Sequence, residues 1–248
     1  METWYELVFG SSSGFQPFGL QHLIPILFFI LISLIWIQWA QSKAVSIQYQ
    51  SAWWFSISLA IAVIWWMLFR WWQGSFDIRE DLPFHLCNLL TLVFPIALYY
   101  RSRWFFGILY FWVLAGTLQA VITPDLKEQF PHFIYFRYWW IHCGLISLLF
   151  YGLIVFKWKI YFSDLKNALI GANVYLVFSL LLNGTTGGNY FFSMRKPDAA
   201  TMLDYLGPWP WYLITGQFLM AMLFLLFYLP FYMANKKVLI KSKNLKSV

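Results

Sequence analysis

The sequence predicts an all-α, polytopic membrane protein, a single domain over residues 1–248 with seven transmembrane helices. The first observation is composition: 61% of the residues are hydrophobic and 11% are charged, whereas a soluble domain carries about 25% charged residues. The second is a recurring apolar segment of about 20 residues, the length that crosses a bilayer core. Seven segments qualify, at about residues 18–40, 52–72, 82–100, 104–123, 134–156, 165–183 and 211–233.

The ends of these segments carry residues typical of membrane interfaces and turns. Tryptophan and tyrosine, which prefer the interface, flank several spans (Trp53, Trp54, Trp71, Trp72, Tyr99, Tyr100, Trp104, Trp209 and Trp211). Pro83 suits the first turn of the third helix. A proline follows the fourth span, another precedes the fifth, and a glycine-rich turn follows Asn183 at the end of the sixth.

The basic residues predict the orientation. With the N-terminus outside, eleven fall in cytoplasmic segments (Lys43, Arg101, Arg103, Lys157, Lys159, Lys166, Lys236, Lys237, Lys241, Lys243 and Lys246) and four in outer loops (Arg79, Lys127, Arg195 and Lys196). This bias favours an outer N-terminus and a cytoplasmic C-terminus. The net charge of +7 is spread over span ends, which suits anionic lipid as a partner and not nucleic acid. Because residues 1–17 contain Glu2 and Glu6 but no basic residue, we expect no cleavable signal peptide.

In this topology the chemically active residues gather at the outer side, in loops or in the outer parts of spans. They are Asp77, Glu80, Asp81, His85, Cys87, Asp125, His132, Arg137, His142, Asn183, Asn189, Tyr190, Arg195 and Asp204. Outer loops hold acidic residues in any case, which accounts for Asp77 and Glu80. The polar residues inside spans need another reason, since an unpaired polar group in hydrocarbon costs several kcal/mol. The pattern indicates an outward-facing pocket.

Cys87 and His142 are the candidate catalytic pair. Cys87 lies five residues past Leu82, roughly 8 Å into its span at 1.5 Å per residue. His142 lies five residues past Arg137, at a similar depth, and both helices run inward. A thiol beside an imidazole forms a nucleophile with its base. The alternative is a packed, inert cysteine, because free cysteine is among the most buried residue types.

His85 stands two positions before Cys87, about 200° away around a regular helix. The two side chains are therefore expected on different sides of that helix. His85 shares a face with Asp81 and Asn88. An Asp81–His85 hydrogen bond is the structural interpretation, and a proton relay or a substrate contact is the functional one. Both remain open.

The other candidates for substrate binding lie near the same level. Asn88, Thr91 and Gln119 are potential oxyanion donors, and Asp125 is placed to neutralise Arg137 or His132. Asn189 and Tyr190 follow a glycine-rich turn whose backbone amides can approach a ligand, and Arg195 with Lys196 suits a lipid phosphate. The plain alternative for this region is a flexible outer loop with counter-charges.

No metal or other cofactor is predicted. His85, Cys87, His142 and Cys143 offer donors that zinc accepts, but pairs spaced by one or two residues diverge on a helix. The seventh span contains no lysine for retinal attachment.

Several motifs together resemble the YwaF family of bacterial integral membrane proteins. They are Leu-Pro-Phe-His85-Leu-Cys87-Asn88, Ala-Gly-Thr-Leu-Gln119-Ala with Thr123-Pro-Asp125, Phe-Pro-His132-Phe, His142, Gly-Gly-Asn189-Tyr190 with Arg195-Lys-Pro, and Leu-Gly-Pro-Trp-Pro-Trp. The resemblance runs from the second span to the seventh. That family is similar to the animal transmembrane-protein-164 acyltransferases, which move fatty acyl chains between phospholipids with a cysteine and a histidine. These in turn resemble seven-span lipid hydrolases that use a threonine and a histidine.

The resemblance implies Cys87 as nucleophile and His142 as base, with His132 less favoured as base, in a multi-pass protein of the bacterial cytoplasmic membrane. The leading hypothesis is a lipid acyltransferase or acyl-ester hydrolase with a phospholipid substrate. The alternative is a carrier or sensor that binds a small amphiphile in the same pocket without reaction. Asp81, His85, Asp125 and Arg137 would then set charge and proton coupling. A structural partner of another membrane protein is the third possibility.

Overall fold

A computed structural model describes residues 4–10, 12–198 and 201–245, with side chains of the last helix up to Ala234. All regular secondary structure in these ranges is helical. The helices are α1 (Trp4–Phe9), α2 (Leu20–Gln41), α3 (Val45–Trp72), α4 (Leu86–Tyr99), α5 (Arg103–Ile122), α6 (Phe133–Ile154), α7 (Phe162–Thr186) and α8 (Trp211–Leu245). Of the C-terminal lysines used to predict orientation, Lys246 lies outside the described residues. The side chains of Lys236, Lys237, Lys241 and Lys243 also lie outside the described part.

Six of the helices are long and apolar enough to cross a membrane: α2, α3, α5, α6, α7 and α8 up to Ala234. This confirms an all-helical membrane fold. The predicted third span (82–100) corresponds to α4, which is not one of these six. It has 14 residues and extends about 21 Å at 1.5 Å per residue. A bilayer core is about 30 Å thick.

The start of α4 corrects the sequence prediction. The helix begins at Leu86, with His85 as its N-cap, so Pro83 lies in the preceding turn. Asp81 holds that turn to the end of α3: its carboxylate lies 3.1 Å from Nε of Arg70 and accepts a hydrogen bond from the backbone N–H of Asp77. Of the two interpretations left open for His85, the structure does not support the Asp81–His85 hydrogen bond, because Asp81 is paired with Arg70 in the described residues.

The protein interior lies where α4 packs against α3, α5 and α6, with α5 also packed on α7 and α6 on α2 and α3. Leu59, Leu90, Phe111, Leu145 and Tyr151 are fully buried there. On the faces turned away from this interior, α2, α7 and α8 instead expose large apolar side chains along their length. Such faces require a lipid environment, because burial of apolar surface away from water is favourable. In the most apolar stretch of 18 residues in α8, only 11% of the residues are buried.

Two polar contacts that the sequence analysis missed hold helices together. His22 on α2 is buried; its Nδ1 accepts a hydrogen bond from the backbone N–H of Phe18, and its Nε2 donates to the carbonyl oxygen of Val121 at 2.8 Å. This ties α2 to the end of α5 and satisfies both ring nitrogens.

The second contact is a bidentate ion pair near the predicted cytoplasmic side. Nη1 and Nη2 of Arg103 lie 2.7 and 2.9 Å from the two carboxylate oxygens of Asp164, whose side chain is 1% exposed. Gly107 makes room for it: a Cβ at that position would lie 2.5 Å from the carboxyl carbon of Asp164. The same carboxylate accepts a hydrogen bond from the backbone N–H of Tyr161 and so caps α7.

Candidate functional site

A cavity of about 520 Å³ lies between α4, α5, α6, α7, α8 and the segment that joins α7 to α8. Its wall is mostly apolar. Seven of the predicted site residues line it: His85, Cys87, Asn88, Gln119, Asp125, Arg137 and His142. Four do not: His132, Asn189, Tyr190 and Arg195.

Cys87 is the second residue of α4. Its Sγ lies 3.5 Å from Oγ1 of Thr117, which is fully buried. The N-cap of this helix, His85, makes no side-chain capping hydrogen bond, and the first helical bond runs from Leu89 to the carbonyl oxygen of His85. The backbone N–H groups of residues 86–88 therefore form the positive end of the helix beside the thiol, where negative charge is stabilised.

Thr117 reaches Cys87 because α5 is irregular. The helix contains a π-turn at Val113–Thr117, and such insertions occur often at functional sites. Gly116 faces α4 so closely that a Cβ there would lie 2.8 Å from Cδ2 of Leu86. The motif around Gln119 supported the family resemblance, but a π-turn has no clear sequence signal, so the role of Thr117 was missed.

His142 lines the cavity, and one of its two ring nitrogens is already hydrogen-bonded. Its Nδ1 lies 2.7 Å from the carbonyl oxygen of Tyr138, which assigns the proton to Nδ1 and leaves Nε2 as the acceptor. The imidazole stacks on the Tyr138 ring at 4.0 Å between centroids, and Tyr138 itself donates to the carbonyl oxygen of Ala120. Among the described residues no hydrogen bond joins Cys87 to His142, although both line the same cavity.

His85 lies in that cavity as well, which overturns the expectation that His85 and Cys87 would point to different sides. The expectation assumed a continuous helix. His85 has an extended backbone (φ −69°, ψ 141°) and precedes the helix, so the angular spacing of a helix does not apply. Its ring contacts those of Tyr190 and Phe192 at 5.2 and 5.6 Å between centroids.

Arg137 is the one lysine or arginine among the residues that line the cavity. Its Nη2 lies 3.2 Å from Oδ1 of Asn88, and its Nε is buried with no hydrogen-bond partner in the described structure. Asp125 lines the same cavity, and its neutralisation of Arg137 stays a prediction.

His132 and Thr91 have structural contacts. His132 caps α6 by accepting from the backbone N–H of Ile134, and its Nε2 lies 2.9 Å from the carbonyl oxygen of Gly10. Both of its ring nitrogens are thus engaged in hydrogen bonds to the backbone. The hydroxyl of Thr91 donates to the carbonyl oxygen of Asn88, and Thr91 does not line the cavity.

Tyr190 and Asn189 organise the segment that joins α7 to α8. The Tyr190 hydroxyl donates to the carbonyl oxygen of Ile78 and accepts from the N–H of Leu82, while burial raises the pKa of Tyr190 to about 12. The Asn189 amide bonds to the backbone of residues 194 and 195. The side chain of Arg195 is exposed. A substrate contact by these residues stays a prediction.

The described residues between α7 and α8 (187–198 and 201–210) form one wall of the cavity. Phe191 and Phe192, both with left-handed backbones (φ 59° and 51°), line it. Asn183 holds this segment, because its side chain bonds to the backbone of Tyr190 and to the Ser193 hydroxyl. At its exposed edge Lys127 pairs with Asp198 at 2.8 Å and lowers the pKa of that carboxyl group.

No group of three or more histidine, cysteine or acidic side chains in the described structure is arranged to hold a metal ion. The polar side chains that line the cavity include a thiol, two imidazoles, three amides, a carboxylate, a guanidinium and several hydroxyl groups.

Comparison with known proteins gives two matches. A protein of Treponema pallidum (strain Nichols), described as "Uncharacterized protein", is 30% identical over 155 residues, which cover 62% of this chain and 63% of that relative. The matched region thus spans less than two thirds of the relative's length. No solved structure matches. The model of the TMEM164 family matches residues 17–228, a range that contains every residue lining the cavity. The chain belongs to the TMEM164 family.

Proposed function

We propose that the protein is an integral membrane enzyme that transfers or hydrolyses lipid acyl esters, with Cys87 as nucleophile and His142 as base. One observation carries the proposal: Cys87, in the first turn of α4, and His142, with Nε2 as its acceptor nitrogen, line one largely apolar cavity. Membership of the TMEM164 family and the resemblance to the YwaF group support it. The resemblance also favours the bacterial cytoplasmic membrane as its location.

In the first half of the reaction, Nε2 of His142 takes the thiol proton while Sγ of Cys87 attacks the ester carbonyl carbon. The negative charge on the carbonyl oxygen faces the backbone N–H groups of residues 86–88 and the side-chain amides of Asn88 and Gln119. Collapse of the tetrahedral intermediate breaks the ester C–O bond. His142 returns its proton to the departing alcohol, and Cys87 retains the acyl group as a thioester.

In the second half, a lipid hydroxyl or water attacks the thioester carbonyl. His142 takes the proton of the incoming nucleophile, the C–S bond breaks, and the thiolate recovers the proton from His142. The Cys87–Thr117 contact is the resting contact of the thiol, so acylation requires the sulfur to turn from Thr117 towards the substrate. Thr117 then acts as a positioning residue.

The proposal is tested with a phospholipid whose acyl chain carries an alkyne, incubated with the purified protein. We expect a hydroxylamine-labile label on the wild-type protein and at least a 100-fold loss in Cys87→Ser. Cys143→Ser is the matched control, because Cys143 is buried in a separate apolar cluster and does not line the cavity. Equal labelling of the Cys87→Ser protein would count against the proposal.

We further propose that α4, with the turn before it, completes a seventh crossing with an outer N-terminus. Arg101 and Arg103 at its inner end support this orientation. Short epitope tags on the two termini are expected on opposite sides of the membrane, the N-terminal tag outside, in protease-protection assays on intact cells. Tags on the same side would contradict seven crossings.

A carrier or sensor remains the second candidate, because Cys87 and His142 are not hydrogen-bonded in the described structure. This function needs the cavity and its charge but not the thiol. A bound amphiphile would then be recovered unchanged, and Cys87→Ala would bind it as the wild-type protein does. Thioester formation on Cys87 distinguishes the two functions.

A further inference from the structure

We propose that a groove between the start of α7 and the middle of α8 binds an anionic membrane lipid, at a site separate from the cavity that holds Cys87. The groove is lined by five aromatic or aliphatic side chains, Phe162, Leu225, Tyr228, Leu229 and Tyr232. The cavity is lined by none of these five. The proposal does not rest on the enzymatic function proposed above, because the lipid in the groove is bound and not transformed.

Each wall of the groove is held on α5. The bidentate ion pair of Asp164 joins the start of α7 to α5. The hydroxyl of Tyr110 on α5 donates to the carbonyl oxygen of Phe227 at 2.9 Å and so holds the middle of α8. Across the groove, the rings of Phe162 and Tyr228 lie 5.7 Å apart between centroids. Because α5 fixes both helices, the groove between them is a lasting feature of the fold.

The wall that α8 contributes suits an acyl chain. Leu225, Tyr228, Leu229 and Tyr232 are three or four residues apart, so they share one face of the helix. Leu225, Leu229 and Tyr232 are exposed, as is Phe162 on the opposite wall. A chain in the groove contacts apolar atoms on two sides, which gives it more dispersion contacts than a flat helix face offers.

A cation stands at the rim of this groove. Lys166 follows Phe162 by one helical turn, and its Nζ lies over the Phe162 ring, 5.2 Å from the centroid. Lys166 is exposed, and long basic side chains near a membrane surface lay their stems on apolar groups while the charge remains in the polar region. The ammonium group is thus placed to contact a head group whose acyl chain lies in the groove.

The charge around the start of α7 selects the class of lipid. Within residues 129–197 the sequence has one acidic residue, Asp164, and its side chain is 1% exposed and paired with Arg103. Lys159 and Lys166 are exposed on either side of it in the chain. The other wall, α8, contains no acidic residue. An anionic head group complements this positive rim, whereas a zwitterionic one brings its own cation to the same place.

Binding is measured with the purified protein in detergent and a phosphatidylglycerol probe whose chains are ether-linked and carry a photoreactive diazirine. The ether links exclude acyl transfer to Cys87. After irradiation, mass spectrometry of peptides locates the label, which we expect on the α7 and α8 residues of the groove. Unlabelled diether phosphatidylglycerol should compete about fivefold better than the matched diether phosphatidylcholine, which is the advantage that one lysine near a membrane surface gives an anionic lipid.

Two pairs of variants separate the head-group contact from the chain contact. Lys166→Gln should remove the preference for phosphatidylglycerol, whereas Lys43→Gln, which changes an exposed lysine over the Trp39 ring, should leave it unchanged. Leu229→Trp fills the groove and should abolish labelling there. Leu226→Trp, at an exposed position of the same helix outside the groove, should label as the wild-type protein does.

Equal competition by the two lipids in the wild-type protein overturns the proposal, so a variant that fails to fold does not protect it. Label confined to the cavity, or spread evenly over the exposed helix faces, overturns it as well. Labelling that falls as protein concentration rises would assign the groove to a second copy of this chain. Competition by soluble glycerol phosphate as strong as by the diether lipid would show that the groove contributes nothing, and would also contradict the proposal.

Discussion

Replacement of His142 by asparagine is expected to slow acylation of Cys87 at least 100-fold, because positioned general bases contribute about 10²–10⁴-fold. Asparagine can still donate to the carbonyl oxygen of Tyr138, so the packing around the ring is largely kept. The acylation rate of the variant should rise steeply with pH, since hydroxide then replaces the missing base. Single-turnover labelling with the alkyne phospholipid, measured over a range of pH, provides both quantities.

His85→Asn is the matched comparison, since His85 lines the same cavity. Its ring packs against Tyr190 and Phe192, and we expect a smaller effect, mainly on substrate affinity. A His142→Asn protein that is acylated at the wild-type rate across the pH range would reject His142 as base. A larger loss in His85→Asn than in His142→Asn would transfer that role to His85.

Replacement of Arg103 by methionine is expected to cost about 3 kcal/mol of stability, because it leaves the buried carboxylate of Asp164 without its cation. Gly107 allows this carboxylate to lie against α5, where its side chain is 1% exposed, so loss of the guanidinium leaves the backbone N–H of Tyr161 as its remaining donor in the described structure. The measurement is the thermal unfolding midpoint in detergent. The double variant Arg103→Met with Asp164→Asn should lose less than the sum of the two single changes.

Lys127→Met is the control for an ion pair of similar length. Lys127 and Asp198 are both exposed, and exposed pairs contribute little, so its unfolding midpoint should match that of the wild-type protein. An Arg103→Met protein that melts with the wild type would show that the buried pair does not join α5 to α7.

The sequence was sufficient to predict the helical membrane fold, because apolar length is a direct consequence of bilayer thickness. It also predicted a common depth for Cys87 and His142, but that prediction counted helical rise from Leu82, and the helix begins at Leu86. The structure shows that the two residues line one cavity. The start of α4 could not be predicted in this way. Pro83 is compatible with a first helical turn, and the residues before Leu86 are held in a turn by tertiary contacts, among them those of Asp81, Tyr175 and Tyr190.

The side-chain partners were harder to predict. Arg103 was counted for orientation alone, because its partner Asp164 lies 61 residues away and a charge near the cytoplasmic side needs no explanation. Thr117 lies at the end of a π-turn, which inserts one extra residue into a single turn of α5 and so changes the face that the following residues present. His22 was given no role, since a single histidine near a span end has no pattern that identifies its partner.

The short length of α4 affects how far the Cys87 thiol lies from bulk water. If Tyr99 and Tyr100 mark the inner boundary of the bilayer core, a helix about 21 Å long starts about 9 Å beneath the outer boundary of a 30 Å core. In the proposed reaction a thioester on Cys87 would then lie below the level of bulk solvent, and sites that exclude water suppress hydrolysis of reactive intermediates. A membrane alcohol that diffuses within the leaflet meets little competition for the acyl group, so the depth of the helix start favours transfer over hydrolysis.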